Sequence, residues 1–69
     1  MKELKNIRKK NNLTTIDLAR KMDVVPSTIT NWELGTRIPN AENIIKLSEI
    51  LGCTADELLG IKKTPADGR

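Results

Sequence analysis

Histidine, phenylalanine and tyrosine do not occur in this chain, and cysteine and tryptophan occur once each. Each gap closes a class of function. Without histidine, a Cys/His zinc finger is excluded. The lone Cys53 has no internal disulfide partner, so a small stapled extracellular scaffold is excluded, and a single thiol fits a reducing interior. Without a set of aromatics, single-stranded nucleic acid finds no stacking platform. No apolar run approaches the roughly 18 residues of a membrane span, and no signal peptide is evident. Enzymatic chemistry lacks its materials too. No histidine activates Cys53, no carboxylates pair in an evident cleft, and no glycine loop is built for phosphate. Cys53 reads as a small hydrophobe, and the chain is expected to be no enzyme, with no cofactor and no metal.

What remains is 69 residues, enough for one small domain. A chain of this size buries only about 60% of its unfolded surface, so its core must be well packed. The net charge of +3 is distributed unevenly. Residues 1–40 carry eight Lys/Arg against four Asp/Glu, and residues 41–61 carry one Lys against four acids. The N-terminal part therefore carries the positive field that a polyanion requires, although Lys and Arg that only solubilise helix surfaces give the same imbalance.

Every segment shows helical spacing and none alternates like a strand. The first helix is expected from about Lys2 to Asn11, with Leu4 and Ile7 inward and Lys5, Lys9 and Lys10 outward. Asn11-Asn12 ends it, because asparagine tolerates the left-handed conformation. Thr14 opens the second helix with Asp17 three residues on, a short-armed capping box, and Leu18, Ala19 and Met22 face inward. Asp23 opens the turn. Pro26 begins the third helix and Gly35 stops it. Asn40 caps a fourth helix that buries Ile44, Leu47 and Leu51 and ends at Gly52. Thr54 and Glu57 form a capping box for a last short helix with Leu58 and Leu59. The fold class is all-α, a compact five-helix domain spanning 1–61, with a helix-turn-helix at about 14–35. Residues 62–69, KKTPADGR, read as a disordered tail or linker.

The third helix carries the functional signal. At about 100° per residue, Val25, Trp32 and Glu33 cluster with Ile29 on the core side. Ser27, Asn31 and Leu34 point away, with Thr28 and Thr30 on the flanks. The asparagine carboxamide both donates and accepts, which matches adenine N6 and N7 in the major groove, and serine or threonine hydroxyls bond bases or phosphates. Ordinary helix solvation would also use such residues. Their place behind a tight turn, beneath the small Ala19 and before Gly35, favours the DNA reading. Glu33 leans inward and needs a partner, because an unpaired buried carboxylate is costly. Arg8, at the edge of the first helix's buried face, is the best candidate.

Leu13, the TIDLARKM run, Val24, the STITNWELG run, Pro39 and IIKLSEILGCTADELL together resemble the helix-turn-helix family of the phage Cro and lambda-type repressors, also called the xenobiotic-response-element family. The resemblance covers roughly residues 3–60. It implies a lambda-repressor-like five-helix domain that binds operator DNA, commonly as a two-fold dimer. Pro26, Ser27, Thr28 and Asn31 match the family's base-facing positions. Thr15 matches a phosphate-gripping position often occupied by glutamine, and Arg8 and Glu33 match a recurring charged pair. The chain departs from the family pattern at Asn12 and Asp23, where glycine is frequent. It also departs at Val25, where a polar cap is usual, and at Leu34, which replaces a residue that is frequently polar.

The expected activity is sequence-specific binding of double-stranded DNA and regulation of transcription, as a repressor that occupies its operator. Phosphate contacts are expected from Thr14 and Thr15 at a helix N-terminus, with Lys10, Thr36, Arg37 and Asn40 adding to them. One short helix reads few base pairs, so a homodimer on a near-palindromic operator is expected, assembled on DNA if the free dimer is weak. Ile38, Ala41, Glu57 and Ile61 are the candidate dimer contacts; for Ile38 and Ile61 the competing expectation is that they tuck onto their own core. The expected location is the cytoplasm, as a bacterial or phage-encoded protein associated with the nucleoid. The competing function is an antitoxin or bridging coactivator acting through protein contact. A polar helix face without aromatics makes a poor protein hot spot, which favours DNA.

Overall fold

The computed structural model describes Met1 and residues 3–60, and Ile61 and the tail lie outside the described residues. Five α-helices and no strand are found among them: α1 (Leu4–Lys10), α2 (Thr15–Met22), α3 (Pro26–Leu34), α4 (Ala41–Leu51) and α5 (Ala55–Leu59). The five-helix order and the all-α class match the sequence reading. No helix among the described residues is long and apolar enough to cross a membrane.

Local chemistry sets the helix ends. Thr14 Oγ1 accepts from Asp17 N at 3.0 Å, and Thr14 N donates to Asp17 Oδ2 at 3.0 Å, so the short-armed capping box closes fully. Thr54 and Glu57 repeat the device on α5. Asn40 Oδ1 accepts from Asn43 N at 2.8 Å and caps α4. The Asn12 and Asp23 backbones are left-handed, at φ 58° and 60°. The resemblance implies glycine at both positions, and the short polar side chains present tolerate the conformation. Asn11 lies outside that region, yet its Nδ2 donates to Ile7 O at 2.9 Å and Leu51 O at 3.3 Å, tying the ends of α1 and α4 together.

The core comprises Leu4, Leu18, Ala19, Met22, Ile29, Trp32, Leu47, Leu51 and Leu58, so every helix contributes at least one side chain. Fully burying a side chain of the leucine or isoleucine class stabilises by about 1.5–3 kcal/mol. Ala19 is buried on α2, the helix that packs against α3.

Two expectations need correction, and one open alternative is decided. Val25 is 61% exposed, not core-facing. It is the α3 N-cap with an extended backbone, so helical angles do not apply to it. Ile44 is half-buried and outside the core, because the buried stripe of α4 begins one turn later at Leu47, with Ile50 packed beside it. Of the two expectations for Ile38, the inward one fails: the residue is 77% exposed. Pro39 beside it is buried instead. Pro39 takes the inward place in this loop and Ile38 the outward one.

Candidate nucleic-acid interface

The geometry of the candidate site follows from how α3 is held. Its inner side sinks Ile29 and Trp32 into the core. Glu33 forms the expected pair with Arg8: Nε donates to Oε2 at 2.6 Å and Nη2 to Oε1 at 3.5 Å, with the two side chains only 9% and 10% exposed. Arg8 Nη1 also donates to Leu13 O at 2.8 Å. One guanidinium thereby fixes α1, the loop before α2 and the last turn of α3 relative to one another. Leu13 as a third partner was not legible in the sequence, since a carbonyl has no side-chain signature. Among the described residues, every buried side-chain nitrogen or oxygen has a partner.

The C-terminal end of α3 is built around one carbonyl. Gly35 N, Thr36 N and Arg37 N approach Asn31 O at 2.9, 3.1 and 3.4 Å. Gly35 makes this possible at φ 84°; a Cβ there would meet no neighbouring atom, so backbone conformation rather than space selects glycine. The chain then turns back along α3 before Asn40 starts α4.

This return creates a cleft of about 560 Å³. Ser27, Thr28, Asn31 and Trp32 of α3 line it. Arg37, Ile38 and Pro39 line it as well, with Asn40 and Asn43. The three polar base-reading candidates thus share one concave surface with two of the phosphate candidates, Arg37 and Asn40. Asn43 was not singled out in the sequence; its spacing from the Asn40 cap was the available signal. Ser27 is exposed and Thr28 and Asn31 are half-buried. Pro26 is exposed at the start of α3.

A family model for the helix-turn-helix matches residues 4–58. The chain belongs to this helix-turn-helix family, of the Cro and lambda-repressor type. It is 38% identical over 56 residues to an uncharacterised HTH-type transcriptional regulator, YqaE, of Bacillus subtilis, covering 81% of this chain and 48% of the relative. It is 37% identical over 57 residues to the HTH-type transcriptional activator BcrR of Enterococcus faecalis, covering 83% of this chain and 28% of the relative. It is 32% identical over 59 residues to the HTH-type transcriptional regulator ImmR of Bacillus subtilis, covering 86% of this chain and 46% of the relative. The chain therefore spans about half the length, or less, of these curated relatives. No solved structure matches it at comparable significance.

Within this helix-turn-helix, the remaining candidates lie away from the cleft. Lys10 is exposed at the end of α1. Thr14 and Thr15 open α2, but that N-terminus already holds an anion. The Asp17 carboxyl is kept below its ordinary pKa, first by the Thr14 backbone N–H and then by the Thr14 hydroxyl, with Arg20 and Lys21 adding to the effect against a little desolvation. A phosphate approaching Thr14 meets this carboxylate. The Thr36 hydroxyl is engaged inside the chain, with Asn31 Oδ1 at 3.1 Å. Of the dimer candidates, Ala41 is exposed, Glu57 is exposed with its carboxylate closing the α5 capping box, and Ile61 lies outside the described residues. Cys53 is half-buried against the core, and burial, reinforced by Glu57, raises its thiol pKa and disfavours the thiolate.

Proposed function

We propose that this domain lays α3 in the major groove of double-stranded DNA and regulates transcription as a repressor, by occupying its operator. The observation that carries the reading is the convergence of Ser27, Thr28 and Asn31 with Arg37 and Asn40 on one cleft. A groove about 12 Å wide admits a single helix, and the α3 side chains then address base edges. Pro26 and Ser27 enter first, because recognition helices of this kind contact bases through their N-terminal part. Arg37 and Asn40 flank the groove and hold phosphate, with Lys10 and Thr15 at the periphery. The relatives' names, HTH-type transcriptional regulators and an activator, support transcriptional regulation as the role. Occupancy alone suffices to repress, whereas activation needs an added contact with the transcription machinery.

The domain acts as a two-fold pair, with recognition helices about 34 Å apart, one turn of DNA. Exposed Ile38, with Ala41 nearby in sequence and Glu57 on α5, supplies the contact surface. So small a surface falls short of a standard interface of about 800 Å² per partner, so DNA completes the assembly.

Footprinting across a salt series tests both parts. The expected result is a near-palindromic site with half-site centres about 10 bp apart. Affinity falls steeply with salt, by about 0.9 in log–log slope per neutralised phosphate. A slope near zero contradicts DNA binding, and one asymmetric half-site bound one-to-one at saturation contradicts the dimer.

A further inference from the structure

We infer that Thr36 is a positioning residue for base recognition, whose hydroxyl holds the Asn31 carboxamide in the orientation that suits adenine. This rests on α3 being the helix that enters the major groove. Thr36 does not line the cleft, whereas Asn31 does. The left-handed Gly35 folds the chain back so that Thr36, five residues beyond Asn31, lies against it.

The direction of the bond follows from counting lone pairs. Thr36 Oγ1 stands 3.1 Å from Asn31 Oδ1 and 3.3 Å from the Asn31 main-chain oxygen. That main-chain oxygen already faces the N–H groups of Gly35, Thr36 and Arg37. A carbonyl oxygen has two lone pairs, so the single hydroxyl proton is better used at Oδ1. Flipping the carboxamide would present Nδ2 to Thr36. The hydroxyl would then accept, and its proton would be left with the crowded main-chain oxygen. The flip is therefore disfavoured.

With Oδ1 held toward Thr36, Nδ2 occupies the other arm of the planar amide and is directed away from Thr36. Oδ1 keeps its second lone pair. Asn31 thus offers a donor and an acceptor in fixed order, for adenine N7 and N6–H respectively. Reversing that order would match neither atom of adenine. Holding the amide before DNA arrives also reduces the ordering cost of binding. The same bond argues against Thr36 as a phosphate donor. Its one proton is committed, and the lone pairs left on Oγ1 repel a phosphate oxygen.

The test compares the full chain with Thr36→Val, which removes the hydroxyl at nearly constant shape, and Thr36→Ser, which keeps it. Binding is measured to duplexes carrying each of the four bases at the position whose preference Asn31→Ala abolishes. The wild-type chain is expected to prefer adenine there. Thr36→Val should reduce that preference by about 2- to 12-fold, the worth of one neutral hydrogen bond. The loss should be confined to that position, Thr36→Ser should restore the preference, and Thr36→Val should change nothing further in an Asn31→Ala background. An independent readout is the Asn31 side-chain amide pair in the nuclear magnetic resonance spectrum of the free protein, which should shift in Thr36→Val and return in Thr36→Ser. A Thr36→Val variant that weakens all four duplexes equally makes Thr36 a phosphate contact and overturns the proposal. An adenine preference left intact in Thr36→Val overturns it as well, while the DNA reading survives. A wild-type chain that binds no duplex at low salt overturns the DNA reading and this proposal together.

Discussion

α2 and α3 are neighbours of nearly equal length, yet they begin in opposite ways. The N-terminus of α2 is closed by its own side chains, Thr14 and Asp17 in a reciprocal box. The N-terminus of α3 has no side-chain cap, since Val25 stands there with Pro26 behind it. The inner faces differ too. α2 buries Leu18, Ala19 and Met22, whereas α3 buries only Ile29 and Trp32 and relies on Arg8, from α1, to hold Glu33. α2 therefore stabilises itself, and α3 is held by its neighbours. A helix fixed from behind leaves its outer face and its first turn without structural duty. That is the condition under which Ser27, Thr28 and Asn31 can be chosen for what they touch rather than for what they support.

The hardest test of this contrast removes the outside support. Replacing Glu33 with alanine strands the Arg8 guanidinium in a nearly buried position, and the expected loss of stability is about 3–5 kcal/mol. Arg8→Ala should cost a similar amount, and the double variant much less than the sum of the two. Urea unfolding of the four proteins measures the coupling. Additive losses would mean that α3 is not held through this pair.

A smaller effect sharpens the comparison at the two N-termini. Thr14→Ala should destabilise by about 1 kcal/mol, because it removes a working cap. Val25→Ser should stabilise by about 1 kcal/mol, because it supplies a missing one. Opposite shifts in the urea midpoints are expected. Shifts of the same sign would show that the two starts do not differ as their hydrogen bonds indicate.

Much of this was legible in the sequence, and the exceptions have physical causes. The five helices follow from their caps: Thr14, Asn40 and Thr54 announce starts by chemistry that acts within four residues, and Gly35 announces a stop. The Arg8–Glu33 pair was legible because a carboxylate on a buried face demands a cation. Val25 was misplaced because angular bookkeeping assumes a helical backbone, and an N-cap does not have one. Ile38 could not be settled before Pro39 was seen to take the inward place. The Thr36–Asn31 bond was hidden for a different reason: it depends on how tightly the chain reverses after Gly35, which spacing alone does not fix. Asn43 entered the cleft through the same reversal.

The most direct test of the central claim, that the outer face of α3 reads bases, is the affinity of the wild-type chain, Asn31→Ala and Arg37→Ala for a selected duplex and its single-base variants. Asn31→Ala is expected to lose about 1–3 kcal/mol on the preferred sequence and to flatten the preference at one base position only. Arg37→Ala is expected to lower affinity for all the duplexes evenly and to make the salt slope shallower by about one phosphate. An Asn31→Ala variant that keeps the wild-type preference at every position would contradict the docking of α3 in the major groove.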